Sequence, residues 1–115
     1  MTRVLIVDDD ASVTRVLSRL LAGEGCEVRS ARSAEEAIRL AESEDFQLIL
    51  TDISLPGMSG LEAIGALKRA GRAPVLVMTG RADEEFARDA KLLGAIGLVE
   101  KPLRLEVLRS FLLGL

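Results

Sequence analysis

Short apolar segments alternate five times with stretches whose apolar residues return at every third or fourth position, and few architectures accommodate that rhythm. Residues 4–7, Val-Leu-Ile-Val, form a continuous run that suits a strand buried on both faces, and the run stops at Asp8, Asp9 and Asp10. Val13, Val16, Leu17, Leu20 and Leu21 then recur at helical spacing, with Gly23 as the stop, so that face is expected against a sheet. Residues 26–31 alternate apolar and polar, as an edge or half-exposed strand does. Ser33 and Glu36 fit a capping box, and Ala37, Ile38, Leu40 and Ala41 carry a second helix from it. Residues 46–51 are the third strand and deliver Asp52 to the loop Ile-Ser-Leu-Pro-Gly-Met-Ser-Gly, which ends at Gly60.

A third helix follows on Leu61, Ile64 and Leu67, with Ala63, Ala66 and Ala70 permitting close packing and Gly71 and Pro74 bounding its exit. Residues 75–78 are a fourth buried strand, closed by Thr79-Gly80. Asp83 caps a fourth helix to about Leu93, whose inner face is expected at Phe86, Ala90 and Leu93. Residues 96–99 are the fifth strand, running into Glu100-Lys101-Pro102, and Leu105, Val107, Leu108, Phe111 and Leu112 complete a fifth helix. Such alternation favours a mostly parallel sheet covered by helices on both faces, with right-handed crossovers. No repeat, low-complexity tract or linker interrupts it, so residues 1–115 read as a single domain. In that sheet the strand ends Asp8/Asp9, Asp52, Thr79 and Lys101 lie along one edge, where open α/β folds bind ligands.

The chain contains no His, which removes Ser-His and Cys-His catalysis and His-ligated metal and leaves carboxylate chemistry. The lone Cys26 has no disulfide partner and reads as a small buried apolar residue. A net charge of -3, with Lys and Arg spread out and no aromatic row, argues against direct nucleic-acid binding. No apolar segment approaches the roughly 18 residues of a membrane span, and no signal-peptide pattern opens the chain, so the cytoplasm is the expected location.

Crowded carboxylates repel one another and call for a cation. An oxygen-only cluster points to a hard ion, Mg²⁺ being the usual choice, and a lysine and a hydroxyl beside it suit a bound phosphoryl group. Simpler readings stand beside this one. Asp8 to Asp10 also suit a helix N-terminus, Thr79-Gly80 an ordinary turn, and Lys101-Pro102 a helix entry.

With these residues in place, the chain from Val4 to about Leu113 resembles the receiver domain of bacterial two-component response regulators. Val-Asp-Asp after the first strand, Asp-Ile-Ser-Leu-Pro-Gly-Met-Ser-Gly after the third, Thr-Gly after the fourth and Lys-Pro after the fifth occur in order. The resemblance implies a flavodoxin-like doubly wound (βα)5 fold and supplies the strand order 2-1-3-4-5, which spacing alone does not. It also implies that Asp52 accepts a phosphoryl group from a phosphohistidine on a partner histidine kinase or phosphotransfer protein. Asp9 would bind Mg²⁺ directly and Asp8 mainly through water, with an Asp52 oxygen and the Ser54 backbone carbonyl completing the protein's share. Lys101 and Thr79 would each hold a phosphoryl oxygen. Autodephosphorylation would use water in the same site, with Ser54 and Arg81 at the positions that tune its rate.

On this reading the domain is a switch and not a conventional enzyme, and it serves an output domain or effector. The family's usual aromatic three residues before the Lys is Leu98 here, which puts the aromatic switch in doubt. Coupling would then pass through a Leu98 rotamer change or through the 79–83 loop and fourth helix. Asp10 reads as a helix cap or outer carboxylate. Ser12 and Arg15, with Pro102 and Leu103, resemble the kinase-docking surface, and Arg88, Lys91 and Arg109 form either a contact face or a solvated one.

Two other classes fit parts of the chain. Asp8 and Asp10 match the Asp-x-Asp of haloacid-dehalogenase-like phosphatases, although no second acidic pair follows at Thr79-Gly80. A receiver-like module that only binds a partner is the other, against which Asp8, Asp9, Asp52 and Lys101 argue. The chain is expected to be a stand-alone regulator or a piece of a longer one.

Overall fold

The computed structural model describes residues 2–80 and 83–115. Five strands alternate with five helices: β1 (Arg3–Val7), α1 (Ala11–Gly23), β2 (Glu27–Ala31), α2 (Ala34–Ser43), β3 (Leu48–Asp52), α3 (Gly60–Ala70), β4 (Val75–Thr79), α4 (Glu84–Leu92), β5 (Ala95–Glu100) and α5 (Leu105–Leu113). All pairings are parallel, in the order β2-β1-β3-β4-β5. This is the doubly wound architecture that the sequence and its resemblance led to. No helix among the described residues is long and apolar enough to cross a membrane.

The two faces of the sheet follow from strand alternation. Val4 and Ile6, Leu48 and Leu50, and Leu76 and Met78 point to one side, where Leu17 and Leu21 of α1 and Leu108 of α5 close over them. Leu5 and Val7, Ile49, and Val75 and Val77 point to the other side, against small residues of α2, Ile64 and Leu67 of α3, and Ala90 of α4. The three central strands are therefore buried on both faces, which is why their sequences read as unbroken apolar runs. Leu50 has no exposed surface. Leu50→Ala is expected to lower stability by about 3 kcal/mol, read as a lower urea midpoint at unchanged slope.

Caps predicted from sequence form as hydrogen bonds. Asp10 Oδ1 accepts from the Ser12 and Val13 amides at 2.8 and 3.4 Å, so Asp10 is the cap of α1. Ser33 Oγ accepts from Glu36 N at 3.2 Å, while Glu36 reaches back to the Arg32 amide, one residue earlier than a standard box. Asp83 caps α4 through the Glu85 and Phe86 amides.

Two expected core residues lie outside it. Val16 is 57% exposed because the buried stripe of α1 centres on Leu17 and Leu21, and Val16 lies about 100° round from Leu17. Leu93 is 43% exposed because it is the C-cap of α4, where the chain departs into Gly94 at φ +103°. The edge strand β5 carries a bulge: Val75 pairs with Ala95 and Leu76 with Gly97, so Ile96 is the extra residue and stands partly exposed. A methyl group at Gly97 would lie 3.1 Å from the Phe111 ring, so the glycine lets α5 pack directly on the strand.

Candidate functional site

Because the strands are parallel, their C-terminal ends bring Asp8, Asp52, Thr79 and the residue after Glu100 to one edge. Backbone hydrogen bonds fix the register there. Asp8 N donates to Ala31 O (3.1 Å), Ile53 N to Met78 O (3.0 Å), and Lys101 N to Thr79 O (2.7 Å). Pro56 and Gly57 sit between the bridged residues Leu55 and Met58, and Gly57 has φ +81°, the value for the second central residue of a type II turn. At Gly60 a methyl group would come within 2.6 Å of Ile53 O, so only glycine lets α3 begin this close to the end of β3.

Carboxylate oxygens from Asp8, Asp9 and Asp52 all lie within 4.8 Å of one another. Asp8 and Asp52 are buried and Asp9 is exposed. Lys101 Nζ stands between the two buried acids, 2.8 Å from Asp8 Oδ2 and 3.2 Å from Asp52 Oδ2. The remaining Asp8 oxygen accepts the Asp10 amide at 2.9 Å, whereas among the described residues Asp52 Oδ1 has only a long contact from Ser54 N at 3.4 Å. Asp8 is thus held at both oxygens and Asp52 chiefly at one. Thr79 is buried beside them.

Partial burial pulls the Lys101 pKa down, but the hydrogen bond to Asp8, the charges of Asp52 and Asp8 and the hydrogen bond to Asp52 outweigh it, so the net shift is upward from 10.5. A raised lysine stabilises the fold fully below its ordinary value and loses that contribution as pH climbs through the folded value. Stability of the metal-free protein should therefore fall above about pH 10.5 more steeply than that of Lys101→Met, measured by urea unfolding across alkaline pH.

Three carboxylates against one ammonium leave two negative charges, and the donors are oxygens alone. That set fits a hard divalent cation held through Asp9, Asp52 and Asp8.

Ser12, Pro102 and Leu103 line a cleft of about 360 Å³ beside the site. Val13, Val16 and Leu17 form the rest of its apolar wall, and Lys101 backs both cleft and acidic cluster. Arg15, exposed three residues from Ser12 on α1, lines a neighbouring pocket of about 250 Å³ with Asp8, Thr14, Ser30 and Arg32, on the β2 side. Arg109 Nε lies 2.6 Å from Glu24 Oε1, so it ties α5 to the end of α1. Leu98 is half-buried, opposite Val77, against the cluster under α2 to α4. Arg81 lies outside the described residues.

Sequence reasoning did not pick out Val13, Val16 and Leu17 as cleft residues. The available signal was Val16, an apolar residue at the margin of the α1 stripe.

The profile of the family described as response regulator receiver domain matches residues 4–112. A transcriptional regulatory protein CpxR homolog of Haemophilus influenzae is 32% identical over 102 residues, 89% of this chain and 44% of that protein. The chain therefore spans less than half the length of that curated relative. Among solved structures, a Burkholderia pseudomallei response regulator with a phosphorylated aspartic acid, calcium ion and citrate superposes at TM-score 0.89, with 33% identity, over 96% of this chain and 65% of its own. The Vibrio cholerae chemotaxis protein CheY4 superposes at 0.90 with 32% identity, over 99% and 98% of the two chains.

Proposed function

The chain belongs to the response regulator receiver domain family, and from that premise we propose that Asp52 is its phosphoacceptor, charged from a phosphohistidine of a partner histidine kinase or phosphotransfer protein. The carrying observation is the asymmetry of the two buried acids. Asp52 ends the central strand with Oδ1 nearly unengaged, whereas both oxygens of Asp8 are taken. In the transfer an Asp52 oxygen forms the new bond to phosphorus, the bond from phosphorus to the imidazole nitrogen breaks, and that nitrogen keeps the electron pair.

Lys101 already reaches Asp52 Oδ2 and would swing its ammonium onto a phosphoryl oxygen. Thr79, held to the same edge by the bond from Lys101 N to its carbonyl, would hydrogen-bond another through its hydroxyl. Asp9, Asp8, Asp52 and the Ser54 carbonyl would hold Mg²⁺, which when bound neutralises charge on the phosphoryl oxygens. Autodephosphorylation would use water in the same site, with Ser54 and Arg81 at the sequence positions that tune its rate in the family. The phosphatase alternative needs Asp8 as nucleophile, and the doubly bonded, fully covered Asp8 side chain argues against that.

The reading makes residues 1–115 one signalling domain, working in the cytoplasm on behalf of an output domain or effector. Its direct test is incubation with acetyl phosphate and Mg²⁺ followed by intact mass. One phosphoryl group per chain supports it, and an unmodified chain counts against it. The apolar cleft against Lys101 is the surface where the donor protein would dock. Val16→Glu should slow phosphorylation by a protein donor about tenfold while leaving phosphorylation by acetyl phosphate unchanged, because a charge would be buried in the contact without touching the acids. Equal slowing with both donors would place the effect in the site itself.

A further inference from the structure

Helix α3 presents to solvent a stripe that neither the core nor the acidic site uses. Ala63, Ile64 and Leu67 turn inward, whereas Glu62, Gly65, Ala66 and Arg69 follow one another at the three- and four-residue spacing of a single helix face. That face floors a groove of about 390 Å³, with Leu61 beside it and Leu93, 43% exposed, as the opposite wall. The groove is apolar at its middle, acidic at one end and basic at the other. Gly65 and Ala66 at the centre let another backbone come close. A methyl group at Gly65 would meet only the tip of the Arg69 guanidinium, at 3.3 Å, and that long exposed side chain is free to swing away. Among the described residues neither Glu62 nor Arg69 has an ion-pair partner.

A helix with an acid at one end of an apolar stripe and a base seven residues later is complementary to itself run in reverse. About a two-fold axis midway between Gly65 and Ala66, Glu62 faces Arg69 of a second copy, Gly65 faces Ala66 and Leu61 faces Ala70, each contact occurring twice. We infer that the α3 groove is a self-association surface on which two copies of this chain pair antiparallel. A partner of another sequence would need an acid and a base at this same separation, which a second copy carries already. One helix pair is a small interface, of the size class of weak, transient contacts. The inference does not rest on phosphoryl transfer and is tested on the unphosphorylated chain.

Sedimentation equilibrium from about 10 μM to 1 mM should show a monomer-dimer equilibrium that weakens at high salt. Glu62→Arg and Arg69→Glu should each raise the dissociation constant at least about fivefold by setting like charges opposite one another, and the double exchange should restore it to within about twofold. Circular dichroism melts establish that each variant is folded. A wild-type chain that stays monomeric to about 1 mM, or an equilibrium that the single reversals leave unchanged or the double exchange fails to restore, overturns the inference.

Discussion

Asp52→Asn is expected to reduce phosphoryl incorporation from acetyl phosphate by at least about 100-fold while leaving the fold intact. The amide removes the nucleophilic oxygen and keeps the side chain's shape. Among the described residues neither Asp8 nor Asp9 shares its engagement with Lys101 and its nearly unengaged second oxygen. Asp8 is held at both oxygens, and among the described residues Lys101 pairs with Asp8 and Asp52 but not with Asp9. Because the change also removes one of three crowded carboxylates and leaves the bond between Lys101 and Asp8 in place, the urea midpoint should hold or rise. Intact mass and urea unfolding on the same sample check both halves. Residual incorporation within a few fold of wild type would show that another carboxylate reacts.

Lys101→Met is expected to destabilise the metal-free protein by about 3 kcal/mol, the larger of the two stability effects at this edge. Its ammonium touches two acids, and the Asp8 side chain has no exposed surface. Removing the cation strands both carboxylates at close range without a counter-charge, and that penalty exceeds what the ion pair itself contributes. Adding Mg²⁺ should recover part of the loss, since a cation that binds only the folded site raises its stability. Pairing the change with Asp8→Asn should give less than the sum of the single effects, because both act through one contact. A strictly additive cycle would mean that the observed 2.8 Å contact contributes little energy.

The parts of this fold that were legible in the sequence are those where one residue type has one physical use. Unbroken runs such as Leu-Ile-Leu at residues 48–50 are buried on both faces, and Asp10, Ser33 and Asp83 cap helices where side-chain oxygens can reach free amides. That four strand ends share an edge followed from parallel alternation. The strand order did not, because nothing local says whether β2 lies beside β1 or beyond β3, and resemblance to a family supplied it.

The misread positions are marginal ones. Val16 has the right residue type at the edge of a helical stripe, and Leu93 lies at a helix end where the face turns away from the sheet. The bulge at Ile96 is a property of pairing with β4 and leaves no mark in β5 alone. At the site, residue types were readable but their engagements were not. That Asp8 gives both oxygens to Lys101 and the Asp10 amide, while Asp52 keeps one nearly unengaged, depends on ångström-scale placement across 93 residues of separation between Lys101 and Asp8. The division of Arg15 from Ser12, three residues away, between two pockets likewise depends on how α1 rolls on the sheet.

The most direct test of the central claim is to locate the phosphoryl group after reaction with acetyl phosphate and Mg²⁺, by peptide mass spectrometry on a chain kept in acid. One acid-stable, base-labile group is expected on the peptide carrying Asp52, absent when Mg²⁺ is withheld. A group on Asp8 or Asp9, or steady turnover of free phosphomonoesters with no adduct at Asp52, would contradict it.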